Sequence, residues 1–451
     1  MKTASLVANL VGQAALGGLV TLMLAAEGIS QEANSTNDTS PTVRGSSPTG
    51  YPGPDDRAAR EASILATIDQ LSADSFLVRE KATVRLLQIG QEAVDSLRAQ
   101  LPLLNREARG RASGLLARIE RESFEQASAA FLTEIDPSVS YALPAWQTFR
   151  ECVGHSRASK LLFIEAVREQ RRLMQMIDVY AQSKRQDKSA QDEVFERALR
   201  ALAETTAAQI EREQLARLPV SLGDCVALLL AAAAIEGETP QAVSIAIDTN
   251  VQQYMFSSAL ERKSQGVCLR RLLSAWIPRT HQSIAPRVMQ FSLVYDIPAA
   301  VKVARKNLNP ARDLLTRCEA LKCLARFGDE SDLPLIQTAF GDHDLLHRLH
   351  PDDLLSQGAA MVHETLSLPP GMEAESIQPN SGYEVRVCDL ALAAAVTIVG
   401  DNPAEYFPGY QTLGKYGVDT RSLAVPTAQP ELRRKSFERF AQRQDAESKT
   451  P

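Results

Sequence analysis

The sequence predicts an all-α protein assembled from stacked helical hairpins. Two observations carry this prediction: a spaced apolar pattern that recurs along the chain, and a composition poor in aromatic residues. Aromatic residues make up 5% of the 451 residues, whereas hydrophobic residues make up 44%. Small and branched aliphatic side chains favour packed helices over β-sheets. We also find no alternating polar and apolar stretch long enough to predict a strand.

The recurring pattern is clearest in two segments, Arg79 to Gly90 and Arg317 to Gly328. Counted from each Arg, both carry Ala at +3, Leu at +7 and Gly at +11, with apolar residues at +8 and +10. These offsets place the apolar side chains on one face of a helix. The glycine predicts a left-handed residue that ends the helix. A second apolar helix follows each glycine, and such hairpins bury both faces only by stacking.

Partial copies of the pattern extend it to other parts of the chain. Arg109, Ala112 and Leu116 keep the offsets without the glycine, and CDLALAAAVTIVG keeps the apolar positions before Gly400. SLGDCVALLLAAAA begins with a capping Ser221 and is apolar nearly all round, which predicts a buried helix. Residues 159–184 and 188–217 are each predicted to form one long helix.

The pattern resembles that of HEAT-repeat (armadillo-like) proteins, in particular an exported bacterial group. The resemblance rests on DSFLVREKATVRLLQIGQEAVDSLRAQL with NREARGRASGLLARIE, and on RCEALKCLARFGDESDLPLIQTAF. LPAWQTFRECVGHSRASKLLFIEAV and EVRVCDLALAAAVTIVGDNPAEYF are similar to segments of the same group. The resemblance implies an irregular HEAT-like α-solenoid whose surface serves as a scaffold for binding.

The chain start predicts export. MKTASLVANLVGQAALGGLVTLMLAAEGIS has one Lys before an apolar run and small residues after it, as a cleaved signal does. The run is long, so an uncleaved membrane anchor is the alternative. A third interpretation is an apolar N-terminus with no targeting role. We therefore expect an exported protein of the periplasm or cell envelope, with a membrane tether if the segment is retained.

We divide the chain into six segments by composition and pattern. They are a signal peptide or membrane anchor at 1–30, a disordered Ser-, Thr-, Pro- and Gly-rich spacer at 31–56, N-terminal HEAT-like repeats at 57–125, a long-helix middle region at 126–310, C-terminal HEAT-like repeats at 311–410 with a long loop at 364–383, and an irregular tail at 411–451.

One cluster of side chains suggests metal chemistry. GDHDLLHRLHPDD carries His343, His347 and His350 among Asp342, Asp344, Asp352 and Asp353, and His363 follows. A short helix capped by Asp342 and ended by Pro351 would place the three histidines on one stripe, where residues four apart share an ion. The stripe rises about 10 Å between His343 and His350, too far for one ion. A solvated face or an inter-repeat loop is the structural alternative.

Other candidate residues have structural explanations. Cys152 and His155 suggest a nucleophile pair, but no third group orients them. Trp146 is predicted to anchor helix packing, with a groove lining as the alternative. The six dispersed cysteines are predicted to be small core residues. Four arginines lie at or near the first position of the recurring pattern: Arg79, Arg109, Arg317 and Arg386. They either contact an acidic partner or pair with carboxylates and carbonyls of a neighbouring repeat.

These observations favour a non-catalytic scaffold that binds a protein or envelope partner. The net charge of −6 offers no basic excess for nucleic acid. No nucleophile elbow, phosphate loop or Cys-x-x-Cys motif is present, so we expect no enzyme activity, no catalytic residue and no cofactor. The rival is a metal-binding or metal-assisted enzyme that uses the His/Asp cluster at 342–353.

Overall fold

The computed structural model describes residues 54–134, 136, 143–186, 189–350 and 382–447. The predicted leader at 1–30 and the predicted spacer, apart from 54–56, lie outside these ranges. The described residues are mostly helical, which confirms the all-α class in its coarse form. The chain divides into two compact units between Ala142 and Leu143.

The first unit contains the N-terminal copy of the repeated pattern. Its helices are α1 (Pro54–Asp69), α2 (Phe76–Ile89), α3 (Val94–Gln100) and α4 (Arg106–Thr133). Ala82 and Leu86 of the pattern are fully buried, together with Leu97 and Ala112. Helix α1 packs on α2 and α3, and α4 packs on the same two helices. The apolar stripe predicted from the sequence therefore lines the core of this unit.

The second unit begins with a group of helices around one buried helix. They are α5 (Trp146–Val153), α6 (Arg157–Glu169), α7 (Arg171–Arg185), α8 (Ser189–Leu215), α9 (Leu222–Ala234), α10 (Gln241–Val251), α11 (Tyr254–Glu261) and α12 (Lys263–Trp276). Helix α9 lies at the centre and contacts α6, α7, α8, α10 and α12. Every residue from Gly223 to Ala233 is buried, as the apolar sequence predicts.

The single helix predicted at 159–184 is wrong, because the chain breaks between α6 and α7. Gln170 has φ −126° and ψ 49°, outside the helical region. Its side-chain amide donates to Asp224 Oδ1 at 2.8 Å, at the N-terminal end of α9. The break lets both α6 and α7 pack on α9. A local apolar pattern that continues on both sides of Gln170 does not reveal this turn.

The second unit continues with shorter helices that lead to a second buried helix. They are α13 (Ala285–Tyr295), α14 (Val301–Asn307), α15 (Leu314–Phe327), α16 (Leu333–Gln337), α17 (Val387–Ile398) and α18 (Pro430–Glu447). Helix α15 is the C-terminal copy of the pattern and packs on α13, α14 and α17. All residues of α17 from Val387 to Val396 are buried.

A small antiparallel sheet, absent from the sequence prediction, lies in this region. Strands β1 (Leu345–Leu349), β2 (Tyr383–Arg386) and β3 (Val425–Pro426) pair in the order β1-β2-β3. The register places Leu349 opposite Tyr383, and Tyr383 opposite Pro426. The β1 sequence LLHRL does not alternate strictly, β2 and β3 have only four and two residues, and the paired strands are distant in sequence. Tyr383, the last residue of the predicted loop, lies in a strand, and residues 364–381 lie outside the described ranges.

Within the tail predicted at 411–451, the charged end that we expect to be partly helical forms α18 over residues 430–447. Arg433 of this helix donates to both oxygens of Asp389, at 2.6 and 3.0 Å, and the Asp389 side chain is fully buried. Phe440 is also buried, and its ring lies 6.0 Å from that of Phe340. Half of the residues of α18 are charged, and the ion pairs Arg439–Glu405 and Arg443–Asp401 attach it to the rest of the unit beside Arg433–Asp389.

The glycine at +11 serves different purposes in different copies. Gly90 and Gly400 have φ of 66° and 77°, as the helix-stop prediction requires. Gly328 has φ −74°, so the left-handed prediction is wrong there. A Cβ at Gly328 would lie 2.5 Å from the carbonyl oxygen of Leu324 and 2.9 Å from Asp332 Oδ2. This glycine is therefore required because neighbouring atoms approach its Cα closely, and not because of its backbone conformation.

All six cysteines are free thiols. Five are buried, as predicted, and Cys152 is half-buried.

We expect Gly328→Ala to lower the free energy of unfolding by about 2 kcal/mol, because the added methyl group overlaps backbone atoms that cannot move away. Urea denaturation measures the change. Gly341→Ala is the matched control, since a Cβ there meets nothing within 4 Å. Equal stability of the two variants would contradict the close packing at Gly328.

We expect Arg433→Met to destabilise the protein by about 3–5 kcal/mol at neutral pH, because it leaves the buried Asp389 carboxylate without its counter-charge. Burial raises the pKa of Asp389, and the hydrogen bonds and charge of Arg433 oppose this rise. Without Arg433 the pKa rises further, so protonation at lower pH relieves the uncompensated charge. The deficit relative to wild type should therefore shrink as the pH falls from 7 to 5.

Denaturation of both proteins across that pH range checks this expectation. Arg434→Met is the control, since Arg434 is exposed and its ion pair among the described residues is with the exposed Glu438. A deficit that is independent of pH would show that Arg433 acts through packing alone.

Candidate functional site

The predicted histidine stripe is wrong, because residues 345–349 form strand β1 and not a helix. Asp342 and Asp344, which precede the strand, both bind Arg317 of α15, whose side chain is only 7% exposed. Asp342 therefore does not cap a helix; its carboxylate compensates a buried guanidinium. Asp352, Asp353 and His363 lie outside the described residues.

The two described histidines nearest this turn have separate partners. His343 Nδ1 lies 3.7 Å from the Cys388 thiol, and His347 Nε2 lies 2.9 Å from the Thr420 hydroxyl. Burial raises the pKa of Cys388 to about 12, so this sulfur is a neutral thiol. Burial, with Arg421 and Lys322, lowers the pKa of His347. In the described ranges, no group of three or more His, Cys, Asp or Glu is placed to hold a metal ion.

Cys152 and His155 have different surroundings, neither of which favours a nucleophile pair. His155 is exposed, and its ring packs edge-on against Trp146 with a centroid distance of 5.9 Å. Burial raises the pKa of Cys152, which disfavours the thiolate. Trp146 is buried against Phe149 and Phe163, as the packing interpretation predicts.

The four arginines of the repeated pattern have partners inside the chain. Arg79 donates to the carbonyls of Ala73 and Asp74, in the turn before its own helix. Arg109 likewise donates hydrogen bonds to the carbonyls of Leu101, Pro102 and Leu104, which precede its own helix. Arg317 binds Asp342 and Asp344, and Arg386 binds Glu384. These arginines bind carbonyls and carboxylates within the chain, but Arg79, Arg109 and Arg386 bind residues close to them in sequence and not a neighbouring repeat.

A cleft of about 420 Å³ opens at the N-terminal end of α9. Its walls come from Glu165 and Glu169 of α6, Ser221 to Gly223 at the start of α9, Tyr254, Met255, Ser258 and Ala259 of α11, and Arg262 and Gln265 at the start of α12. Gly223 is required here, because a Cβ would lie 2.5 Å from the carbonyl oxygen of Glu165. The absent side chain lets α9 begin directly against α6.

The rim of the cleft exposes large apolar side chains. Tyr254 is 84% exposed and Met255 is 54% exposed, both on α11. Solvent-exposed Tyr and Met beside a concave surface are typical of protein-binding surfaces.

Two carboxylates face this cleft without compensation by a close partner. Within the described residues, neither Glu165 nor Glu169 has a hydrogen-bonded or ion-paired side-chain partner. Burial raises the pKa of Glu165, and the charges of Arg168 and Arg262 partly oppose this. Arg262 donates to Gln265 Oε1 at 3.1 Å. The cleft is therefore apolar at its rim and carries excess negative charge on the α6 side.

Nothing in the sequence pattern singled out this cleft. Its residues come from four helices, and exposed Tyr254 and Met255 look in sequence like ordinary members of an amphipathic helix. The only local signal was the Ser221 cap, confirmed by its hydrogen bond from the Asp224 N–H at 3.0 Å.

No protein family, curated protein or solved structure matches this chain. Among the helices in the described ranges, none has the length and hydropathy needed to span a membrane.

We expect His343→Ala and His347→Ala to leave the metal content of the purified protein unchanged, because each histidine has its own non-metal partner. Elemental analysis of wild type and both variants checks this. Stoichiometric zinc or iron in the wild type that both substitutions remove would restore the metal hypothesis.

Proposed function

We propose that this chain is a non-catalytic helical scaffold that binds a protein partner outside the cytoplasm, with the cleft at the start of α9 as the binding surface. The observation that carries the proposal is the pair of exposed apolar side chains, Tyr254 and Met255, that line the cleft. Burying such side chains against a partner releases water from apolar surface and stabilises the complex. The predicted export signal supports the extracytoplasmic location.

The charge of the cleft defines the partner further. Glu165 and Glu169 lie one helical turn apart on α6, and one guanidinium, that of Arg262, faces them across the cleft. A Lys or Arg side chain of the partner would compensate these carboxylates, and apolar neighbours of that residue would cover Tyr254 and Met255. The occupant is therefore a protein segment in which a basic residue is flanked by apolar ones.

The HEAT-like solenoid remains part of this proposal. Stacked contacts among α1 to α4, with the arginine of each pattern bound to the preceding turn, support a HEAT-like arrangement in the first unit. The enclosure of α9 on all sides is less typical of a row in which each hairpin meets only its neighbours. The C-terminal copy in α15 is attached to α13, α14 and α17.

We expect a photo-crosslinking amino acid at position 254 to capture a protein partner in native extract, and the same amino acid at position 413 not to capture it. Leu413 is a matched control because it is exposed, apolar and in the same unit. The crosslinked partner peptide, identified by mass spectrometry, should contain Lys or Arg beside apolar residues.

The purified partner then allows a binding measurement. Tyr254→Ala should weaken binding about tenfold or more, since truncating a buried aromatic anchor removes over 1 kcal/mol. Glu165→Gln with Glu169→Gln should also weaken binding without loss of stability, because neither carboxylate has a close partner in the described chain. Capture at both positions, or binding indifferent to all these changes, would contradict the proposal.

A further inference from the structure

A second cavity, of about 340 Å³, lies among the turns at the other end of α9. The turn after α9 contributes Gly237 and Glu238 to its lining. The turn after α12 contributes Pro278 to Thr280 and Gln282. The third side is formed by α14 and the loop that follows it, which contribute Val303, Lys306, Asn307 and Arg312. The Thr239 N–H donates to the Arg279 carbonyl at 2.7 Å and joins the first two turns.

Three cations face this cavity without a carboxylate partner in the described ranges. Arg279 donates to the Ala275 carbonyl, Lys306 to the Pro278 carbonyl, and Arg312 to Gln282 Oε1. Each of these acceptors is neutral, so the positive charges remain uncompensated. A guanidinium has five N–H donors, and one such bond leaves most of them available to a ligand.

Helix dipoles account for only part of this arrangement. Cations near a helix C-terminus are stabilised by the last carbonyls, which explains Lys306 in the last turn of α14 and Arg279 just after α12. Arg312 lies five residues beyond the end of α14 and contacts a side-chain amide instead. Its place in the cavity therefore needs another explanation.

Two buried oxygens beside the cations have no partner. Thr280 Oγ1 and Asn307 Oδ1 are buried and accept or donate no hydrogen bond among the described residues. Both residues line the cavity and are at least nine-tenths buried. Leaving a buried polar atom unpaired costs about 1–3 kcal/mol, which a bound polar ligand would offset.

The cavity has one carboxylate, and it is already engaged. Glu238 Oε1 accepts from the Gln282 N–H at 2.9 Å and lies 3.9 Å from His281 Nε2. With this carboxylate counted against the three cations, the lining keeps an excess of positive charge. Oxyanions are the ligands that such a set of guanidinium and ammonium donors binds best.

We propose that this cavity binds a small anion with two or more negative charges and at least one hydroxyl, in the class of hydrogen phosphate or a hydroxy-polycarboxylate. Arg279, Lys306 and Arg312 supply charge-assisted hydrogen bonds, and the Thr280 hydroxyl donates one more. Asn307 Oδ1 accepts from the hydroxyl of the ligand. The site is independent of the cleft and of the partner proposed above.

Isothermal titration calorimetry of the full chain tests this site with sodium phosphate and with sodium citrate. Chloride holds the ionic strength constant, and chloride alone is the reference. We expect saturable binding of at least one of the two probes. Phosphate alone would assign a phosphate or phosphate-monoester site, and citrate alone a polycarboxylate site. Absence of saturable binding for both would overturn the proposal.

Substitutions then locate the bound anion. Arg312→Gln should weaken binding about tenfold or more, and Thr280→Val should weaken it without changing the charge of the cavity. Lys302→Gln is the matched control, since Lys302 is an exposed cation of α14 that does not line the cavity. Circular dichroism confirms folding of each variant. Equal weakening by Lys302→Gln, or none by Arg312→Gln and Thr280→Val, would show nonspecific charge attraction and refute the site.

Discussion

The second unit depends on the burial of two helices that have no polar face. Helices α9 and α17 are apolar nearly all round, and almost every residue of both is buried. An amphipathic helix needs cover on one side only, whereas these two need neighbours in every direction. The surrounding helices, the break at Gln170 and the attachment of α18 all provide that cover.

Each buried helix carries one aspartate in its first turn, and each aspartate connects the helix to a distant element. Asp224 forms the N-terminal cap of α9 together with Ser221. Its carboxylate also accepts a hydrogen bond from the side chain of Gln170, where the chain turns between α6 and α7. Asp389 accepts from the Arg386 N–H and binds Arg433 of α18. A carboxylate at a helix N-terminus is stabilised by the free N–H groups there. These two residues therefore specify which elements lie against the start of each buried helix.

The two proposed binding surfaces lie at opposite ends of α9. The cleft begins at Ser221 to Gly223, and the anion cavity includes Gly237 and Glu238, just after the helix ends. The 13 residues of α9 span about 20 Å between them. The surfaces also differ in chemistry, with excess negative charge and apolar side chains in the cleft and excess positive charge in the cavity. Because α9 is enclosed by its neighbours, its length sets the distance between the two surfaces.

The sequence by itself determined the helical class, the pattern stripe that becomes buried at Ala82 and Leu86, and the burial of α9, since these depend on the local spacing of apolar residues. It did not determine the strand at 345–349, the attachment of α18 to α17, or either concave surface. Those features depend on partners far away in the chain, such as β2 for β1 and Asp389 for Arg433. Periodicity reports which face of an element is buried, but only the folded chain decides what covers that face and which side chains meet beside it.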